Sequence, residues 1–265
     1  VTAYVLNSDS VTPIRTDTGT AGKPIKIAVP GPPEILGAMA ITPDGKTVYV
    51  ANHGFDTAPA DTVIPISTAT SKVGKAITVG ESPDAIAITP DGKTAYVVNQ
   101  SGTVTPIRTA TNTALKAIAV GSNPRAIAIT PDGKTAYVAN FNSGTVTPIR
   151  TATGKAGKSI KVGNEPGYIA ITPNGNTAYV VGTGNGISGT VTPIRTATGK
   201  AGRAIRIPGF PGAIAITPDG KTGYVVDRCT IGVTGDTVTP IDTSANAAGK
   251  PINVATCPSA IVITP

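Results

Sequence analysis

Small and large apolar residues alternate in one short stretch that recurs along the chain. It reads AIAITPDGKTAYVAN at 126–140, with near-copies at 38–52, 85–99, 168–182 and 213–227. A split copy completes the set, AIVITP at 260–265 and TAYVLN at 2–7. Each copy predicts a β-hairpin. The runs AIAIT and TAYVAN are rich in Ile, Val, Thr and Tyr, which suit a pleated strand. Between them Pro presets φ for an early turn position, Asp bonds its own backbone, and Gly accepts φ > 0. Within AIAIT one face carries Ala and the other Ile, and neither is polar. That pattern predicts a strand covered on both sides, as where strands converge on a narrow axis.

Every repeat carries four strand-like runs, named A to D from the inside outward. In the fourth repeat they are 126–130, 135–140, 145–150 and 159–162. Run C is TVTPIR or a variant and holds Pro at 13, 65, 106, 148, 193 and 240. Proline removes a ladder donor, so a bulge or broken pairing is expected there. The Gly- and Thr-rich C–D connection reads as a turn. Repeats of roughly 40–47 residues indicate a propeller or a solenoid. Runs B, C and D of the first repeat lie at the N-terminus and its run A, 260–264, at the C-terminus. A straight solenoid would leave both ends needing caps, whereas a ring closes. The expected fold is all-β: a single domain over 1–265, one six-bladed β-propeller of four-stranded antiparallel blades. N-terminal strands B, C and D plus C-terminal strand A would close it.

Run B reads YVLN at 4–7, then YVAN, YVVN, YVAN, YVVG and YVVD. With the preceding P-x-A-I-A-I-T-P-D-G-K, essentially the whole chain resembles the YVTN family of β-propeller repeats. The resemblance implies a propeller that is often secreted or attached to a bacterial or archaeal surface. Many rings of that family have seven blades, against the six counted here. Some relatives are surface-layer or wall-associated proteins, and streptogramin lyases are similar propellers. No single activity is implied, and the motif carries no catalytic residue to transfer.

Aromatics make up 4% of the chain and Trp is absent, so the core must be Ile, Val, Ala and Thr. No apolar run approaches the roughly 18 residues of a membrane span. Residue 1 already opens a strand run, so a processed or trimmed chain is expected. The two cysteines, Cys229 and Cys257, both fall in top-face loops of the sixth repeat and are expected to form a disulfide. An oxidising, extracytoplasmic compartment would follow.

The repeats also act as an internal control. The A–B turns are nearly identical, whereas the B–C and D–A loops, which share the opposite, top face, differ in every repeat. The rare residues gather in those loops: His53, Phe55, Phe141, Phe210 and both cysteines, with Tyr168 beside them. Loops on a rigid scaffold usually carry binding groups. The top-face acids are Asp9, Glu34, Asp56, Asp61, Glu81, Asp84, Glu165, Asp227 and Asp236, and the only bases there are Arg125 and Arg228. The net charge of +7 therefore divides into an acidic mouth and a basic underside and rim. The rim suits an anionic cell-wall polymer. Nucleic acid is disfavoured, because the bases are spread out and lack interleaved aromatics.

The expected ligand-binding set is Glu34, His53, Phe55, Arg125, Phe141, Tyr168, Phe210, Asp227 and Arg228, taking a small molecule, glycan or peptide. As an alternative, His53 with Asp56 forms a general base and its orienter, Arg125 or Arg228 holds an anion, and the protein is a lyase or hydrolase. The plainer reading of His53 is an exposed histidine in a polar loop. No cofactor or metal is expected. One histidine excludes a two-His site, and Ca²⁺ at the scattered carboxylates is a minority reading. A monomer is expected.

Overall fold

The computed structural model describes residues 1–27, 35–53, 61–184, 188–228 and 236–264. The chain packs as two compact units, 1–118 and 119–265. The described residues form six antiparallel sheets, three in each unit; five are built on the A–B–C hairpins of the repeats, and the first on strands B and C with no A strand. In the fourth repeat, strand A is Pro124–Ile129, B is Thr135–Asn140 and C is Thr145–Arg150. Strand D is in two pieces, Lys155–Ala156 and Ile160–Lys161, each paired to a different half of C.

That split accounts for the prolines and corrects the expected break. Tyr137 faces Pro148 in an uninterrupted B–C register, and Tyr4, Tyr49, Tyr96, Tyr179 and Tyr224 face the equivalent prolines. The Pro148 carbonyl accepts a hydrogen bond from the Gly157 N–H at 2.7 Å, on the outer side of the sheet. A residue in a strand directs its nitrogen and carbonyl to the same edge. The missing donor therefore points into the gap between the two D pieces, and the B–C ladder loses nothing. A Cβ on Gly157 would lie 3.2 Å from Pro148 Cγ, so glycine there lets the outer chain approach.

The repeated TPDGKT turn is pinned by its own side chains. Thr130 Oγ1 donates to Asp132 Oδ1 at 2.6 Å, and the same Oδ1 accepts the Lys134 N–H at 3.0 Å. Gly133 takes φ +70°. Asp44, Asp91 and Asp219 repeat this arrangement, and Asn174 stands in for Asp in the fifth repeat. The threonine hydroxyl and then the lysine backbone N–H hold these aspartates below the usual carboxylate range.

The core lies between neighbouring sheets of each unit, on strands B and C. One cluster joins Tyr137, Val146 and Val162 of the fourth repeat to Ala178, Val180 and Ile194 of the fifth. Another joins Tyr179, Val191 and Ile207 to Val225 and Ile241. In the first unit, Val11 and Ile25 pack with Val48, Ile64 and Ile66. Buried tyrosines tie one sheet to the next. Tyr179 Oη donates to Asn246 Oδ1 at 2.7 Å, and Tyr49 Oη donates to Asn112 Oδ1 at 2.6 Å. Strands A are only half-buried, so the expected two-sided cover is incomplete there.

The expected closing strand is not formed. Residues 260–264 carry no strand, Val262 is 91% exposed, and Thr2–Leu6 pairs with Ser10–Arg15 along one edge alone. The segment buries no sheet-forming face, so the pattern AIVIT by itself does not make a strand here.

Candidate functional site

A feature that the repeat pattern does not announce shapes the upper ends of the strands. In the fourth repeat Pro124 pairs with Asn140 but Ala126 pairs with Ala139, so Arg125 is an extra residue in a β-bulge. The same register shift falls at Gly167 in the fifth repeat and at Asp84 in the third. Bulges re-aim side chains at strand ends. The signal in the sequence was the variable residue after Pro in P-x-A-I-A-I, which run-counting treats as part of the loop.

The asparagine ending strand B of the fourth repeat anchors the loops. Asn140 is fully buried; its Nδ2 donates to Thr145 and Thr147 at 3.0 and 2.9 Å, and its Oδ1 accepts the Gly121 N–H at 3.1 Å. In the sixth repeat Asp227 holds the equivalent place, and its Oδ1 accepts the Phe210 N–H at 2.7 Å. In the fifth repeat the residue is Gly182, because a Cβ there would lie 2.5 Å from the Asn164 carbonyl oxygen.

The two upper loops of the fourth repeat are zipped together. The Phe141 N–H donates to the Asn123 carbonyl at 2.9 Å, and the Ser122 N–H donates to Ser143 Oγ at 2.7 Å. The zip sets Phe141 under Arg125, whose guanidinium carbon lies 4.1 Å from the ring centroid, a cation–π stack. On the far side of Phe141 the chain turns through Glu165 at φ +51°. Glu165 Oε2 accepts the Thr183 hydroxyl at 3.0 Å. Between these groups is a cleft of about 400 Å³, lined by Phe141, Asn142, Ser143, Asn164 and Glu165 with two glycines. One wall is aromatic; the others offer amide, hydroxyl and carboxylate groups. Such a lining hydrogen-bonds a ligand rich in hydroxyls while stacking an apolar face of it.

A second pair lies between the fifth and sixth repeats. Arg228 Nη1 donates to Tyr168 Oη, and the guanidinium carbon is 5.9 Å from the tyrosine ring centroid. The Arg228 stem runs over Gly212, where a Cβ would collide with it. Phe210 sits opposite Arg228 in the register. The second unit thus holds Arg125, Phe141, Tyr168, Phe210, Asp227 and Arg228 at the upper ends of its strands, in two separate pairs with Asp227 as a backbone anchor. His53 belongs to the first unit, at the end of strand Thr47–His53, half-buried and opposite Ile35. Glu34, Phe55, Asp56 and Cys229 lie outside the described residues, so the His53–Asp56 pairing and the Cys229–Cys257 bridge do as well. Among the described residues no three His, Cys, Asp or Glu side chains are grouped as a metal site. Glu165, Asn142 and Asn164 were missed as lining residues; only their place in a variable loop could have flagged them.

Residues 21–117 match the family described as Lactonase, 7-bladed β-propeller. Among solved structures, Kuenenia stuttgartiensis hydrazine synthase is similar at 30% identity and a TM-score of 0.71. The match covers 79% of this chain and 63% of that one. A functionally unknown protein from Desulfotomaculum acetoxidans DSM 771 is similar at 17% identity and a TM-score of 0.69, over 97% of this chain and 85% of that one. No curated protein sequence matches. These likenesses and the antiparallel four-run sheets support a β-propeller protein.

Proposed function

We propose that this protein is a binding module, secreted or attached to a cell surface, that takes its ligand at the upper ends of the propeller strands. The supporting observation is the cleft beside Phe141, where an aromatic wall meets Asn142, Ser143, Asn164 and Glu165. Among small molecules, glycans and peptides, that lining favours a glycan. Screening immobilised glycans and peptides with the wild type and with Phe141→Ala tests this. A glycan signal lost in the variant is expected; peptide signals insensitive to Phe141 would overturn it.

A second reading, a hydrolase, is favoured by the lactonase-family match, whose span includes His53. His53 would then act as acid or base, and assays on lactones and aryl esters test it. Equal turnover by wild type and His53→Ala would sink His53 as the catalyst. The extracytoplasmic placement includes a Cys229–Cys257 bridge, which in the loop-entropy account contributes about 3–4 kcal/mol. Alkylation of unfolded, unreduced protein should label no thiol; two labelled thiols would remove the chemical support for secretion.

A further inference from the structure

The outer edge of the second unit carries a charge arrangement that the scaffold does not require. In the fourth sheet Arg150 lies directly opposite Lys155 across the C–D pairing, and in the fifth Arg195 lies opposite Lys200. Like charges facing each other across a ladder are destabilising. The same two positions hold Arg15 and Thr20, Arg108 and Thr113, and Asp242 and Ala247 in other sheets. The fold is therefore made without the doubled charge, and Arg15 there finds Asp17 at 2.8 Å. No described ion pair involves Arg150, Lys155, Arg195 or Lys200.

The surroundings add to both pairs. Segments 150–161 and 195–206 contain four bases each and no acid: Arg150, Lys155, Lys158 and Lys161, then Arg195, Lys200, Arg203 and Arg206. All eight are exposed. The two edges adjoin, since strand Ile160–Lys161 packs beside Lys200–Ala201. A Cβ on Gly199 would lie 3.7 Å from Ile160 Cδ1.

We propose that this edge binds a linear anionic polysaccharide, with each Arg–Lys pair holding one carboxylate or sulfate and the two pairs engaging successive groups of one chain. Two charges side by side suit an oxyanion, and their repetition on adjoining edges suits a polymer better than a lone ion. Neither segment contains an aromatic residue, so there is no platform for base stacking and a nucleic acid is the poorer fit. The edge is separate from the cleft beside Phe141, and the proposal stands whatever that cleft binds.

The test is titration of the intact protein with heparin in 50 mM salt. It compares wild type, Lys155→Thr/Lys200→Thr, and a control with two other exposed lysines removed, Lys75→Thr/Lys116→Thr. Threonine already occupies the equivalent position in two sheets, so the first variant should melt no lower than wild type. About tenfold weaker heparin binding, with a shallower salt dependence, is expected for that variant alone. Equal losses in both variants would reduce the effect to net charge and overturn the proposal. Single-stranded DNA of matched charge bound as tightly as heparin, with the same sensitivity, would overturn it in favour of nucleic acid.

Discussion

At Tyr179 a phenol 1% exposed finds its acceptors in the next sheet, Asn246 Oδ1 and the Thr243 carbonyl. Tyr179→Phe removes that donor and keeps the ring, so it should cost about 1–2 kcal/mol in urea unfolding. Burial also pushes the Tyr179 phenol up to about 12, and burial moves Tyr49, Tyr96 and Tyr137 in the same direction. The unfolded chain ionises near the ordinary value of about 10 and so loses its protons first. Stability from these groups is therefore complete below about pH 10 and falls as pH rises towards 12. Melting temperatures across that window should drop more steeply for wild type than for Tyr179→Phe. Gly182 sets a different limit, because any Cβ there meets the Asn164 carbonyl. Gly182→Ala should destabilise by about 2–3 kcal/mol and shift the wall formed by Asn164 and Glu165, lowering ligand binding as well.

The element scale shows what a sequence conveys and what it hides. TPDGKT was legible as a turn because Pro, Asp and Gly each act on their own backbone. The Thr130–Asp132 bond adds a local clasp of the same kind. Proline in strand C was misleading, since its effect depends on which edge its nitrogen faces, and that depends on a D strand split in two. Pro148→Ala should therefore change stability by less than about 1 kcal/mol, mainly through the unfolded chain. A loss of several kcal/mol would mean that the ring itself holds the outer edge. The aspartate turns predict an acid limit of opposite sense to the tyrosine one. Their lowered carboxylates contribute stability that is complete above the ordinary carboxylate range and is lost as pH falls through it. Asp132→Asn should flatten that part of the melting profile, because Asn174 shows that the amide serves the same turn.

For the whole molecule, repetition made the all-β scaffold legible, and departures from it pointed to the upper loops. Grouping was not legible. Arg125 pairs with Phe141 because of a bulge, and Arg228 pairs with Tyr168 across two repeats 60 residues apart in sequence. Asp227 reads as a ligand group but holds a loop N–H, and Glu165 reads as scattered charge but lines the cleft. The closing run AIVIT shows the limit of pattern alone, because strand formation needs a neighbouring edge as well as alternation. The central claim is that the Phe141 cleft is where ligand binds. Calorimetric titration of the strongest arrayed glycan into wild type and Phe141→Ala tests it most directly. The account predicts about tenfold or greater weakening in the variant, the scale of losing one stacked aromatic anchor, with an unchanged melting temperature. Equal affinities in two proteins that melt alike would contradict it.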